Sequence, residues 1–93
     1  GGGMAGKIWV REIRRNKILR DVVVPCAAGG WEDALSLALR ELDVMMPLVV
    51  ARHHRDFEEF GQTRFLPEHF LESVNFDRLE VEFFDGQARK EGR

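Results

Sequence analysis

The stretch "ARHHRDFEEF", residues 51–60, sets two adjacent histidines ahead of three carboxylates, a density of titratable groups that raises metal binding or acid–base chemistry. On a helix, neighbours in sequence point about 100° apart, so His53 and His54 cannot both aim at one ion without distortion. His54 and Glu58 are better spaced, because one turn apart they share a face, and His69 or Glu72 from a later helical turn can complete a site. The candidate metal set is therefore His54, Glu58 and His69. Against it stands a plainer reading, in which one histidine packs beside Phe57 and the other is solvated. The spacing does not reproduce the zinc-protease pattern of two histidines four apart with the acid between them.

Acid–base catalysis asks for a carboxylate or histidine held in a cleft with a shifted pKa, whereas the acids here fall at outward strand or helix positions. Cys26 lies just upstream of a helix start, a place that lowers a thiol pKa, but Pro25, Ala27 and Ala28 around it mark a small buried loop residue. As the single cysteine, it excludes an internal disulfide and fits a reducing, cytoplasmic setting. "AAGGW" leads from strand to helix as a phosphate cradle does. It lacks both the three-glycine dinucleotide spacing and the P-loop lysine, and Glu32 and Asp33 repel an anion at that terminus. No catalytic residue is assigned and no cofactor is implied, so the expectation is a protein that is not an enzyme.

The formal net charge of −2 hides an asymmetry. Residues 7–20 carry Lys7, Arg11, Arg14, Arg15, Lys17 and Arg20 against Glu12 alone, while residues 56–85 carry nine acids against Arg64 and Arg78. Such segments neutralise each other within a subunit or pair between copies. The leading expectation is accordingly a small interaction or structural module, with an unknown protein partner or a homodimer. The alternative is nucleic-acid binding, since a two-stranded ribbon enters a groove while arginines contact phosphates. In either case the contacts fall to Arg11, Arg14, Arg15, Lys17 and Arg20. Trp9 is the only ring on this segment, so no stacking platform for single strands is present. A charged tip also blunts a strand edge against aggregation.

Positioning these residues falls to a short series of elements in a chain of 93 residues, a length suited to one domain. "KIWVREIRRNKILRDVVVP" reads as a β-hairpin. Looping out Arg15, Asn16 and Lys17 sets Glu12 opposite Arg20, Arg11 opposite Asp21, Val10 opposite Val22 and Trp9 opposite Val23, and every pair is compatible. Asn16 or Lys17 is then the left-handed residue. "WEDALSLALRELDV" predicts a helix from Trp31, with Leu35, Ala38, Leu39 and Leu42 on one face and Glu32 and Asp33 in the first turn. Over 47–61 two readings compete: "LVVA" alone suits a buried strand, but Pro47 and Gly61 bracket a helix over 48–60, with Val50, one histidine, Phe57 and Phe60 on its face, and the helix is favoured. "QTRFL" is a short strand and "PEHFLES" a helical turn. "DRLEVEFF" is a strand with Leu79, Val81 and Phe83 inward and Glu80 and Glu82 towards water.

The predicted fold is α+β: an N-terminal β-hairpin, an amphipathic helix, a shorter second helix, and a C-terminal strand pair completing one mainly antiparallel sheet. The single domain is placed at 7–85. Residues 1–6, "GGGMAG", read as a cloning remnant around the initiator, and residues 86–93 as a frayed tail. Nothing resembles a secretion signal, and no run is long enough to span a bilayer. Across nearly the whole chain, "RHHRDFEEFGQTRFLPEHFLESVNFDRLEVEFF" together with "KIWVRE" and an "ELDV-x-x-P" junction resembles a small family of bacterial proteins without an assigned activity. The resemblance implies a bacterial, cytoplasmic, stand-alone domain and lends no site residues.

Overall fold

The computed structural model of the chain describes residues 6–27 and 30–85, with the backbone alone at Asp85. Of the remnant expected over 1–6, residues 1–5 lie outside the described residues, as does the tail expected over 86–93, while Gly6 belongs to β1. The elements are β1 (Gly6–Arg14), β2 (Lys17–Cys26), α1 (Trp31–Leu42), α2 (Ala51–Phe60), β3 (Gln62–Phe65), a 3-10 turn at Pro67–His69, and β4 (Arg78–Asp85). The four strands form one sheet in the order β2-β1-β4-β3, every neighbouring pair antiparallel. This is the predicted α+β fold. β1 begins one residue earlier than the expected domain start, at Gly6.

The hairpin keeps the register argued from charge, with Trp9, Val10, Arg11 and Glu12 opposite Val23, Val22, Asp21 and Arg20. Its tip differs from the expected three-residue loop. Arg14 pairs with Lys17, and the turn is the two residues Arg15 and Asn16, at φ 54° and 66°. Two successive left-handed residues match the twist of the flanking strands, which is why tight hairpins favour them. Ile13 pairs with Ile18, so the register slips between Glu12 and Ile13 and Leu19 is left over as a bulge. The bulge absorbs the odd residue that the longer loop was meant to hold.

One face of the sheet carries the core. Ile8, Val10, Val24, Leu79 and Val81 meet Ala34, Leu35, Ala38, Leu39 and Leu42 of α1, with Phe65 and Phe70 closing the cluster. Trp31, in line with that face, is partly buried against the cluster and stacks on Phe57 at 4.2 Å.

The second helix starts at Ala51 rather than 48 because Val50 is extended, at φ −113° and ψ 175°, and caps it. Leu48 N–H donates to the His69 carbonyl at 2.9 Å, and Val50 N–H donates to His53 Nδ1 at 3.0 Å. Of the face expected on this helix only His53 is fully buried, while Val50 and Phe60 are exposed at 44% and 68%. The helical turn expected over 67–73 shrinks to Pro67–His69. In β4, Leu79 and Val81 are fully buried and Phe83 partly so. Glu80 and Glu82, expected in water, are half-buried beside Arg11.

Candidate functional site

The sheet face opposite the core carries a row of alternating charge across all four strands, Asp21, Arg11, Glu80 and Arg64, each directly opposite the next. Arg11 is its hub. Its Nε and Nη2 donate to Glu80 Oε1 at 3.2 and 2.9 Å, its Nη1 donates to Glu82 Oε1 at 3.3 Å, and its guanidinium lies 4.1 Å over the Trp9 ring. Trp9 Nε1 in turn donates to Asp21 Oδ2 at 2.7 Å. Burial by itself raises the Glu80 carboxyl, but hydrogen bonds from Arg78 and Arg11 outweigh it and hold the group below its ordinary value. Planar guanidinium between a carboxylate and an indole is a strongly restrained arrangement. Arg11 is committed within the subunit.

Arg20 is committed as well, on the core side. It grips Glu12, only 1% exposed, through both carboxylate oxygens at 3.0 and 2.9 Å, and donates to the Leu42 carbonyl at the end of α1. The carboxylate raises the Arg20 pKa further above its already high ordinary value. Arg14, Arg15 and Lys17 are exposed at the tip, and among the described residues none has a side-chain partner. The five basic residues singled out in the sequence thus divide into two that hold the fold and three that face solvent.

The histidine set does not converge. His54 is half-exposed, with Nε2 3.7 Å from Glu32 Oε2 and its ring edge-on to Trp31. His69 sits on another side of the molecule's second helix, against His53 and Phe65. Among the described residues no group of three or more histidine, cysteine or acidic side chains could hold a metal ion. His53 and His69 each turn Nδ1 back to accept the N–H of the residue that caps their own helical turn, Val50 and Leu66. That role has a sequence signal, an acceptor three positions after the cap, which is normally looked for only as Glu or Gln.

Two open depressions among the described residues are larger than the one of about 140 Å³ beside Glu12 and Arg20. One, about 340 Å³, is lined by Cys26, Trp31, His54, Phe57, Glu58 and Phe83 among others. Burial pushes the Cys26 thiol up, and its S–H is turned to the Ala27 carbonyl at 3.3 Å, so it is poorly suited to act as a nucleophile. The other, about 480 Å³, lies beside β3, where its polar groups bond one another: Thr63 donates to Asp56 at 2.8 Å, and Arg11 to Glu80. Neither gathers unsatisfied polar groups around a space where a reacting atom would sit.

No family model matches the chain, and no curated protein and no solved structure matches it. Among the described residues no helix is long and apolar enough to cross a membrane.

Proposed function

We propose that this is a small, non-enzymatic protein-interaction or structural module that associates with a second copy of itself, in the reducing cytoplasm of a bacterium. The observation that carries the reading is the division of the hairpin cations. Arg11 and Arg20 are spent inside the subunit, whereas Arg14, Arg15 and Lys17 stand exposed. Glu58, Glu59, Glu68 and Glu72 are exposed too, and no ion pair joins them to the tip among the described residues. Uncompensated charges of opposite sign on one small subunit favour association with a complementary surface. The single buried thiol supports the setting.

Reversing Arg14, Arg15 and Lys17 together to glutamate is the test. Association measured by sedimentation, and partner capture from a lysate, should weaken; unchanged mass and unchanged capture would count against the reading. The same three cations favour nucleic acid as the competing partner. With only three phosphate contacts, the logarithm of duplex affinity would fall against the logarithm of salt with a slope of about −3. Absence of any mobility shift with duplex or single-stranded probes at low salt removes that alternative.

A further inference from the structure

β2, ten residues long, is one edge of the sheet, and the other edge, β3, has four. Which backbone groups β2 leaves open follows from one hydrogen bond at the far side. Phe83 N–H donates to the Gly61 carbonyl at 2.8 Å, so this residue of β4 points its backbone groups towards β3. By alternation Glu80 and Glu82 point to β1, and their opposite residues, Arg11 and Trp9, point back to β4. Asp21 and Val23, which lie across the hairpin from Arg11 and Trp9, therefore belong to pairs that exchange no hydrogen bond. Their N–H and C=O groups project from the free edge. Pro25, next in the alternation and opposite Lys7, agrees, because its missing N–H then removes nothing from the ladder.

Edge strands are commonly guarded by outward-pointing charge. Here the guards are occupied: Arg20 is bonded to Glu12, and Asp21 accepts the Trp9 indole N–H. Between them and Pro25 run three valines, of which Val23 is 52% exposed.

We propose that a second copy of this chain pairs antiparallel along the β2 edge, with the two-fold axis at Val22, so that the two sheets continue as one. This deepens the self-association reading above and rests on it. Directly opposite side chains on antiparallel neighbours share a face, which restricts a two-fold pairing to an axis through a residue. An axis at Asp21 sets two carboxylates opposite each other. An axis at Val23 sets Asp21 against Pro25 and leaves the Asp21 carbonyl without a donor inside the regular ladder, whereas an axis at Val22 meets Pro25 only at Leu19, where the bulge already interrupts the strand. At Val22, Asp21 and Val23 of one copy exchange both hydrogen bonds with Val23 and Asp21 of the other.

Charge and apolar surface favour the same occupant. The register carries each hairpin tip past Pro25 of the second copy, towards the first turn of its α1, where Asp33 is exposed on the Leu37 side of the helix. Arg14 and Lys17 thereby gain an acid they lack. α1 lies over β2 more than over β1. Trp31 and Glu32 touch His54 and Phe57 of α2, and Leu37, 44% exposed, lies on the opposite flank, roughly 120–140° around the helix. That flank faces the β2 edge, where the α1 of the second copy would stand.

Sedimentation equilibrium on the intact chain tests the pairing. The expected mass is twice the 10.7 kDa of one chain. Val23→Pro removes an outward N–H and no hydrogen bond within the subunit, so the circular dichroism should be kept while the dimer dissociation constant rises at least about tenfold. Val23→Lys, which restores a guard charge to the edge, gives the same readout should proline impair folding. In a Cys26→Ala background, Val22→Cys should yield a disulfide-linked dimer, since the two positions meet at the axis. A wild-type dimer left intact by both Val23 variants overturns the edge pairing and spares self-association. Dimers broken by them but never linked at position 22 overturn the register. A chain that is monomeric at all concentrations and captures no protein overturns this inference and the interaction reading together.

Discussion

The His53 ring stands 4.8 Å from the His69 ring, edge against face at 78°, and the two perform the same backbone task. His53 Nδ1 accepts Val50 N–H and His69 Nδ1 accepts Leu66 N–H, each at 3.0 Å, while each histidine returns its own N–H to the carbonyl of the same residue at 2.9 Å. This is one half of a capping box, with imidazole in the place of glutamate, while a backbone carbonyl takes the part of the hydroxyl that Val50 and Leu66 lack. Because Nδ1 accepts, Nε2 carries the ring hydrogen, and at His53 that atom is buried without an acceptor of good geometry; the Arg64 carbonyl makes only a weak contact. A protonated ring could not accept at Nδ1 at all. The second helix therefore starts on a group that acid disables.

The pH dependence follows with a definite sign. Burial, then the neighbouring His69 and Arg52, outweigh Asp56 and lower the His53 pKa from 6.5 to about 4. The unfolded chain binds the proton more readily than the folded one between those values, so stability is fully present above about pH 6.5 and is lost as pH falls towards 4. The full loss is on the order of 3 kcal/mol. Urea unfolding across this window should show the slope, and His53→Gln, which keeps an acceptor and removes the titration, should flatten it. A slope that survives in the variant would assign it to carboxylates instead.

Glu12 and Arg20 form an asymmetric pair, the carboxylate 1% exposed and the guanidinium side chain 52%. Arg20→Ala strands a buried charge and should cost about 3 kcal/mol or more, whereas Glu12→Met leaves a cation that can hydrate and should cost less. Combining the two should recover much of the Arg20→Ala loss. Chemical denaturation of the three variants checks this; additive costs would mean that the two side chains act independently.

Gly6 and Gly61 should respond differently to alanine. A Cβ at Gly6 collides with the Phe84 carbonyl oxygen and lies 2.7 Å from Phe83 Cζ, so β1 and β4 must part, at about 1–3 kcal/mol. At Gly61 the added carbon meets nothing within 4 Å, but φ is 70°, and the cost is the left-handed strain alone, about 1–2 kcal/mol. Thermal melts of the two variants compare the effects. The Gly6 change should also broaden amide resonances along β1 and β4, which the Gly61 change should leave sharp.

The α1 face and the pairing of Glu12 with Arg20 could be read from the sequence because each rests on local periodicity or on charge placed by a single turn. The start of α2 could not. It depends on Leu48 bonding to His69, a contact that exists only once residues distant in sequence have met, and on a local cap at Val50 served by histidine where Glu or Gln is usual. Arg11 shows the same limit from the functional side. On the hairpin alone it is one more exposed cation; only the pairing of β1 with β4 sets Glu80 and Glu82 beneath it and ties its guanidinium to them. The free edge of β2 was likewise invisible until the strand order was known.

Asp77 fastens the hairpin tip to the strand that follows it. Its N–H donates to the Ile13 carbonyl at 2.7 Å, and its carboxylate accepts Arg15 N–H at 2.7 Å, where Arg15 stands at φ 54°. An arginine is costly in that left-handed conformation, and the carboxylate helps offset it. Asp77→Ala should lower stability by about 1 kcal/mol and speed amide exchange at Arg15 and Asn16. Arg15→Gly in the same chain should restore part of the loss, because glycine takes a positive φ without strain. If exchange at the tip does not change in Asp77→Ala, the turn is held by its own two residues and the bulge at Leu19 alone.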